Sequence, residues 1–199
     1  KVGGSASAQV QDSPGLQQVK YEYNVRGWLT DINDPTNLGN SLFGFNIKYN
    51  DVTDTSKQLF NGNISQTNWK TQSPLIPGGN DVSTSYTYTY DPLNRITSAI
   101  DDTNHYDVTG IIYDKNGNLK TLSRQGFIGP DADDFGLMDE LEYQYSGNKL
   151  TSVSDFDGAA TGFYDRGQSG GDYTYDTNGN MISDANKGIT SIAYNHLNL

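Results

Sequence analysis

Residues Tyr86–Thr97 read YTYTYDPLNRIT, and this stretch decides the fold. Tyrosine and threonine alternate through Thr84–Tyr90, the period-2 pattern of a strand with one buried face. Asp91 then stands at the first position of a tight turn, where its carboxylate can accept backbone N–H groups. Pro92 at the second position is pre-set to φ of about −65°. Asn94 falls where the chain needs a left-handed residue. From Ile96 an apolar strand returns. The stretch predicts a β-hairpin closed by a type I turn with a glycine-type bulge.

The same wording recurs on both sides of it. Tyr21–Leu29 reads YEYNVRGWL, Ile112–Thr121 IYDKNGNLKT, Leu141–Thr151 LEYQYSGNKLT and Tyr173–Ile182 YTYDTNGNMI. Gly117 and Gly179 take the place of Asn94, and Gly147 lies in the turn Ser146–Asn148. Turns are therefore expected at Asn24–Gly27, Asp91–Asn94, Asp114–Gly117, Ser146–Asn148 and Asp176–Gly179. Return strands are expected from Ile96, Leu119, Leu150 and Met181. A weaker copy, LFNGNIS, occupies Leu59–Ser65, and Ala193–Leu199, AYNHLNL, opens another. The doublet tyrosines Tyr23, Tyr49, Tyr90, Tyr113, Tyr145, Tyr175 and Tyr194 lie 26, 41, 23, 32, 30 and 19 residues apart, so hairpins are regular and connections vary. Hairpins are expected near 21–33, 43–70, 84–100, 111–123, 139–154 and 172–194, with the next repeat beginning at 193. Residues 1–20 read as the end of a preceding repeat and a linker. One hairpin is marginal alone, so stacked copies must bury a shared Tyr/Leu/Ile face. Its core residues are expected to be Tyr23, Trp28, Trp69, Tyr88, Tyr90, Tyr113, Tyr143, Tyr145, Tyr173 and Tyr175. Trp28 and Trp69 are read as equivalent-looking return-strand positions, packing in the core or between repeats, with a ligand platform as the competing reading.

Composition agrees with an all-β chain. Aspartate, a turn and cap residue, supplies 21 of the 24 acidic residues, while the helix former glutamate supplies 3. Alanine numbers only 8, against 22 glycines. The net charge of −11, with 13 basic residues spread along the chain, excludes the basic face that nucleic acid requires. It also disfavours anionic membrane surfaces. No apolar run approaches the roughly 20 residues that span a bilayer. The absence of cysteine excludes disulfides, thiolate zinc sites and cysteine nucleophiles. No signal peptide is visible at Lys1.

The Tyr-Asp and Gly-Asn wording resembles the RHS, or YD-repeat, family of very large bacterial secreted and surface proteins, with the tyrosine-aspartate repeats of animal teneurins as distant relatives. The similarity is carried by YNVRGWLTDIND at Tyr23–Asp34, GNISQTNWK at Gly62–Lys70 and YNHLNL at Tyr194–Leu199. It runs from about Leu16 to Leu199 and resembles the arrays of Bacteroidota-type bacteria. The resemblance implies repeats winding into a spiral β-sheet that forms part of a hollow shell. Lys1–Gly4 looks like the tail of a preceding repeat, so the chain is expected to be a fragment of a longer polypeptide. Implied partners are flanking repeats of the same polypeptide, an enclosed C-terminal toxin domain or secretion machinery, the last by a type IX route.

Each candidate site has a competing structural role. Asp91, Asp114 and Asp176 could form sugar-binding or glycosidase carboxylates. The same aspartate recurs in every copy, however, at the position turn chemistry already demands, and an active site is normally singular. Asp131–Glu142, DADDFGLMDELE, places Asp131, Asp133, Gly136, Asp139 and Glu142 at offsets 1, 3, 6, 9 and 12 of a calcium loop. Phe135 breaks the ligand set at offset 5, and a solvated loop leading into a strand is the competing reading. His105 and His196 are the only imidazoles, and no Ser sits in a nucleophile-elbow context. Gln168–Gly171 lacks the Lys-Ser/Thr of a phosphate loop. Gly3–Ala8 and Asp12–Gly15 read as linkers.

These readings converge on a secreted or cell-surface structural shell segment, which encapsulates or presents an effector. No catalytic, cofactor-binding or metal residue is assigned. The alternatives are an adhesin module that binds a glycan or protein through its tyrosine-rich sheet, and captured cargo of a secretion system. A glycoside hydrolase would need one unrepeated carboxylate pair, which the sequence does not offer.

Overall fold

The computed structural model describes residues 18–72, 81–166 and 171–197. The linkers Gly3–Ala8 and Asp12–Gly15, the tail Lys1–Gly4 and most of Gln168–Gly171 lie outside them. The described residues are all-β, with a single 3₁₀ turn at Thr55–Lys57 as their only helical element. Among them no helix is long and apolar enough to cross a membrane.

The chain divides into two compact units, Lys1–Thr89 with Asp101–Thr103, and Tyr90–Ile100 with Asn104–Leu199. In the first, β1 (Tyr21–Tyr23), β2 (Leu29–Ile32), β3 (Phe43–Lys48), β4 (Gln66–Thr71) and β5 (Val82–Tyr90, whose last residue belongs to the second unit) pair antiparallel in sequence order. The second has β6 (Ile96–Asp101, whose last residue belongs to the first unit), β7 (Val108–Tyr113), β8 (Leu119–Phe127), β9 (Phe135–Ser146) and β10 (Lys149–Asp155) in the same kind of order. A separate antiparallel pair, β11 (Tyr173–Tyr175) and β12 (Met181–Asp184), comes next in the chain. Consecutive strands pair because short turns bring antiparallel neighbours together at little loop-closure cost.

The core is thin. Its buried apolar side chains are Leu38, Ile47, Tyr49, Val52, Ile111 and Val153. Of the expected core tyrosines, Tyr88, Tyr90, Tyr113, Tyr143, Tyr145, Tyr173 and Tyr175 are half-buried. Tyr23 is not a core residue: it is 61% exposed, on a three-residue strand whose residues are all exposed. Trp28 and Trp69 are not equivalent positions. Trp28 closes the turn before β2, whereas Trp69 lies within β4, opposite Phe45 and Thr84. Both are half-buried.

LFNGNIS at Leu59–Ser65 is no hairpin turn but part of the long connection from β3 to β4. Gly62 there has φ of 98°, and a Cβ on it would stand 3.1 Å from Trp28 Cζ2, so the indole selects glycine. β12 ends at Asp184, before the expected hairpin limit of 194. The chain then comes back alongside it through an Asp184–Ile189 bridge and a bond from Ile192 N to the Ile182 carbonyl.

Candidate functional site

Among the described residues a five-residue turn recurs, built four times. Its first residue is Asn24, Asp91, Asp114 or Asp176. In each copy the backbone N–H of that residue donates to the carbonyl of the fifth residue at 2.9 Å. The N–H of the fourth residue, Gly27, Asn94, Gly117 or Gly179, donates back to the first carbonyl at 2.9, 2.9, 3.2 and 3.1 Å. These fourth residues have φ of 78°, 62°, 90° and 89°, the left-handed region in which glycine and asparagine are the accessible choices.

The first side chain locks the turn. Oδ1 accepts the backbone N–H groups of the third and fifth residues: Leu93 and Arg95 at Asp91, Asn116 and Asn118 at Asp114, Asn178 and Asn180 at Asp176. Asn24 does the same for Arg26 and Trp28. Its amide oxygen thus serves where the others use a carboxylate. Oδ2 of each aspartate takes the fifth side chain: Arg95 Nε at 2.7 Å, Asn118 Nδ2 at 2.8 Å and Asn180 Nδ2 at 2.9 Å.

These bonds favour the charged carboxylate, so all three aspartates are held below their ordinary pKa. The leading cause is the backbone N–H of Arg95 at Asp91, the Asn118 amide at Asp114 and the Asn180 amide at Asp176. Strand register shifts by one residue beside Tyr23, Tyr113 and Tyr175, the bulge that accompanies such a turn.

Ser146–Asn148 differs. Only Gly147 and Asn148 lie between paired Ser146 and Lys149, and Gly147 has φ of 63°. With two residues instead of three to bridge, a two-residue loop with glycine leading replaces the longer turn. Asn148 Oδ1 accepts the amides of Asn116 and Asn118, at 3.0 and 3.1 Å, and so ties two neighbouring turns together.

A tyrosine farther along the chain fastens onto the end of each of several turns. The hydroxyl of Tyr49 donates to the carbonyl of Leu29, Tyr113 to Ile96, Tyr175 to Leu150 and Tyr194 to Met181, at 3.0, 2.8, 2.8 and 2.8 Å. Every acceptor is the first or second residue after a hairpin turn. The residue just before it lies against the same ring in three copies. Arg95 lies 4.5 Å from the Tyr113 centre and Lys149 Nζ 5.6 Å from that of Tyr175, while Trp28 packs on Tyr49 at 5.1 Å. At Tyr145 the pattern lapses: Asn118, the residue at the corresponding place, bonds Asp114 and Asn148 instead of packing on the ring. Burial raises the pKa of Tyr49, Tyr143, Tyr145, Tyr173 and Tyr175, and of these Tyr49 and Tyr175 use the phenol as a donor.

The calcium-loop spacing does not form a loop. Phe135–Ser146 is one continuous strand, so Asp139 and Glu142 point to opposite faces. Asp139 is fully buried and accepts Arg124 Nε and Nη2 through Oδ2, at 2.6 and 2.5 Å, and the backbone N–H of Phe163 through Oδ1 at 2.5 Å. Among the described residues no group of three His, Asp or Glu side chains is placed to hold a metal ion. His105 stacks on Phe135 with ring centres 4.0 Å apart, and Tyr106 and Phe127 meet that ring edge-on.

Aspartates buried within the units are what the turn-based reading of this residue type misses. Asp101, Asp107, Asp172 and Asp184 are buried, as Asp139 is. Asp172, for instance, accepts the N–H of Val153 at 2.8 Å. The Asp-x-x-Gly order alone does not separate the two roles: Asp107-Val108-Thr109-Gly110 has it, yet Asp107 is buried and residues 108–110 belong to β7. The chain matches no model of a known protein family, and no curated protein matches it significantly.

Proposed function

We propose that this chain is a structural segment of an RHS, or YD-repeat, array in a secreted or cell-surface protein. In this reading its hairpins continue into flanking repeats of the same polypeptide and form part of a shell around a C-terminal effector domain. The observation that carries the proposal is the recurring turn, with a tyrosine tethered to the end of three of its four copies. In Tyr113-Asp114 and Tyr175-Asp176 the doublet does two architectural jobs: aspartate closes a hairpin, and tyrosine fastens the strand to the hairpin before it. That division of labour accounts for the recurrence of the doublet. Asn24 in the role of Asp91 supports a hydrogen-bonding role over a chemical one.

The test is limited proteolysis of the native polypeptide from its source, with mass spectrometry of the resistant body. The expected result is one resistant body containing residues 18–197 and a further domain that is cleaved only after the body is opened by denaturant. A native polypeptide in which no further domain is protected overturns the shell reading.

A further inference from the structure

The turn that begins at Asn24 differs from its three counterparts in its surroundings. With the connection from β3 to β4 it encloses a surface pocket of about 250 Å3, lined by Asn24, Val25, Arg26, Trp28, Asn50 and Phe60. Arg26 is fixed in it. Its Nη1 donates to the Phe60 carbonyl at 2.9 Å, and its guanidinium lies 5.0 Å from the centre of the Trp28 ring. Trp28 is itself held by Tyr49 and by the close approach of Gly62. The cation is therefore pre-positioned, which lowers the ordering cost of binding.

The chemistry of the lining is one-sided. In a chain of net charge −11, no carboxylate lines this pocket and one guanidinium does. Among the described residues Arg26 makes no side-chain hydrogen bond besides that to Phe60, and the Trp28 indole N–H makes none. The Asn24 side-chain oxygen is occupied by the turn, which leaves its amide group and that of Asn50 at the rim. Phe60 is 63% exposed and supplies an apolar wall. Donors and a cation beside an aromatic face suit a ring with a carboxylate on one side and C–H groups on the other. The volume holds about one such ring, below the size of a drug-like ligand. A bare sulfate or phosphate leaves Phe60 unused, and a neutral sugar leaves Arg26 unneutralised.

We propose that this pocket binds an acidic sugar residue of the hexuronate type, with its carboxylate on Arg26 and its ring against Phe60. The site belongs to one copy of the repeat, as a binding site should, and it stands whether or not the array forms a shell.

The full chain is titrated with galacturonate oligomers, with the neutral galactose oligomers and with inorganic sulfate, by calorimetry. Saturable binding of the uronate is expected, weakened about tenfold or more by Arg26→Gln and by Phe60→Ala, with no comparable binding of the neutral sugar. Val25→Asp adds a charge to the lining at a fully exposed residue, where the fold does not depend on the side chain, and is expected to weaken uronate binding even if the other variants lose their fold. Sulfate binding as tightly as the uronate overturns the sugar assignment. Absence of uronate binding, or binding that Val25→Asp and Arg26→Gln leave unchanged, overturns the site.

Discussion

Tyr113 donates its hydroxyl to the backbone carbonyl of Ile96 at 2.8 Å, while the side chain of Arg95, one residue earlier, lies over its ring. The tyrosine thus reads the end of the preceding turn twice, once through the main chain and once through a side chain. Tyr113→Phe keeps the ring and removes only the hydroxyl. It is expected to lower stability by about 1 kcal/mol, the net value of one such bond. Tyr175→Phe should cost about the same, whereas Tyr145→Phe, which loses no such tether, should stay within about 0.5 kcal/mol of the parent. Urea unfolding of the three variants checks this, and equal losses in all three would show that the tether carries no stability.

Gly117 isolates the backbone term of the turn. Its φ is 90°, and a Cβ built on it meets no atom within 4 Å. A substitution there costs only what the left-handed conformation costs, about 1–2 kcal/mol for valine. Asparagine, which Asn94 shows at the equivalent position with φ of 62°, should cost clearly less than valine. The comparison is made by thermal unfolding of Gly117→Val and Gly117→Asn. A valine variant as stable as the parent would mean that the turn rearranges.

The turns were legible in the sequence because their determinants are local. Asp91, Pro92 and Asn94 act on atoms no more than four residues away, so composition and order suffice. The tyrosine tethers were not, because the partner of Tyr175 is Leu150, and its identity depends on which strand lies alongside. The burial of Asp139 was hidden for the same reason. It meets Arg124 only through the pairing of β8 with β9, whose register shifts at Arg124–Gln125. The Trp28 pocket needed Phe60 brought to Arg26 across a connection without regular strands. Half-burial of the tyrosines results from sheets too thinly covered to enclose a ring the size of tyrosine.

Acid should loosen the turns. Asp91, Asp114 and Asp176 are all held below their ordinary pKa by hydrogen bonds made in the fold. In the folded chain these groups bind fewer protons than in the unfolded chain over that interval, so stability rises with pH there. Their contribution is present above the unfolded value of about 3.9 and is lost as pH falls through the lower folded values. Denaturant unfolding between pH 2 and 6 should show this slope. The triple variant Asp91→Asn, Asp114→Asn, Asp176→Asn should flatten it while retaining the hairpins, since Asn24 already supports the same backbone bonds. An unchanged slope in the triple variant would assign the acid sensitivity to other carboxylates.

The pair of Arg124 and Asp139 is asymmetric, and the asymmetry fixes the order of its mutants. The Asp139 side chain is 1% exposed, against 47% for Arg124. Removing Asp139 lets the guanidinium turn toward water. Removing Arg124 leaves a carboxylate buried with only the Phe163 N–H to satisfy it. Breaking a fully buried pair costs about 3–5 kcal/mol, much of it the penalty of the stranded charge; with the guanidinium half exposed to water the cost here is expected to fall below that range. Arg124→Ala is therefore expected to be more destabilising than Asp139→Asn, which keeps a side-chain oxygen for Phe163. Adding Asp139→Asn to Arg124→Ala should recover part of the loss, because it removes the charge that the first change strands. A double-mutant cycle by urea unfolding at neutral pH measures the three values. Additive losses would mean that the two side chains contribute independently and that the pair as such carries no stability.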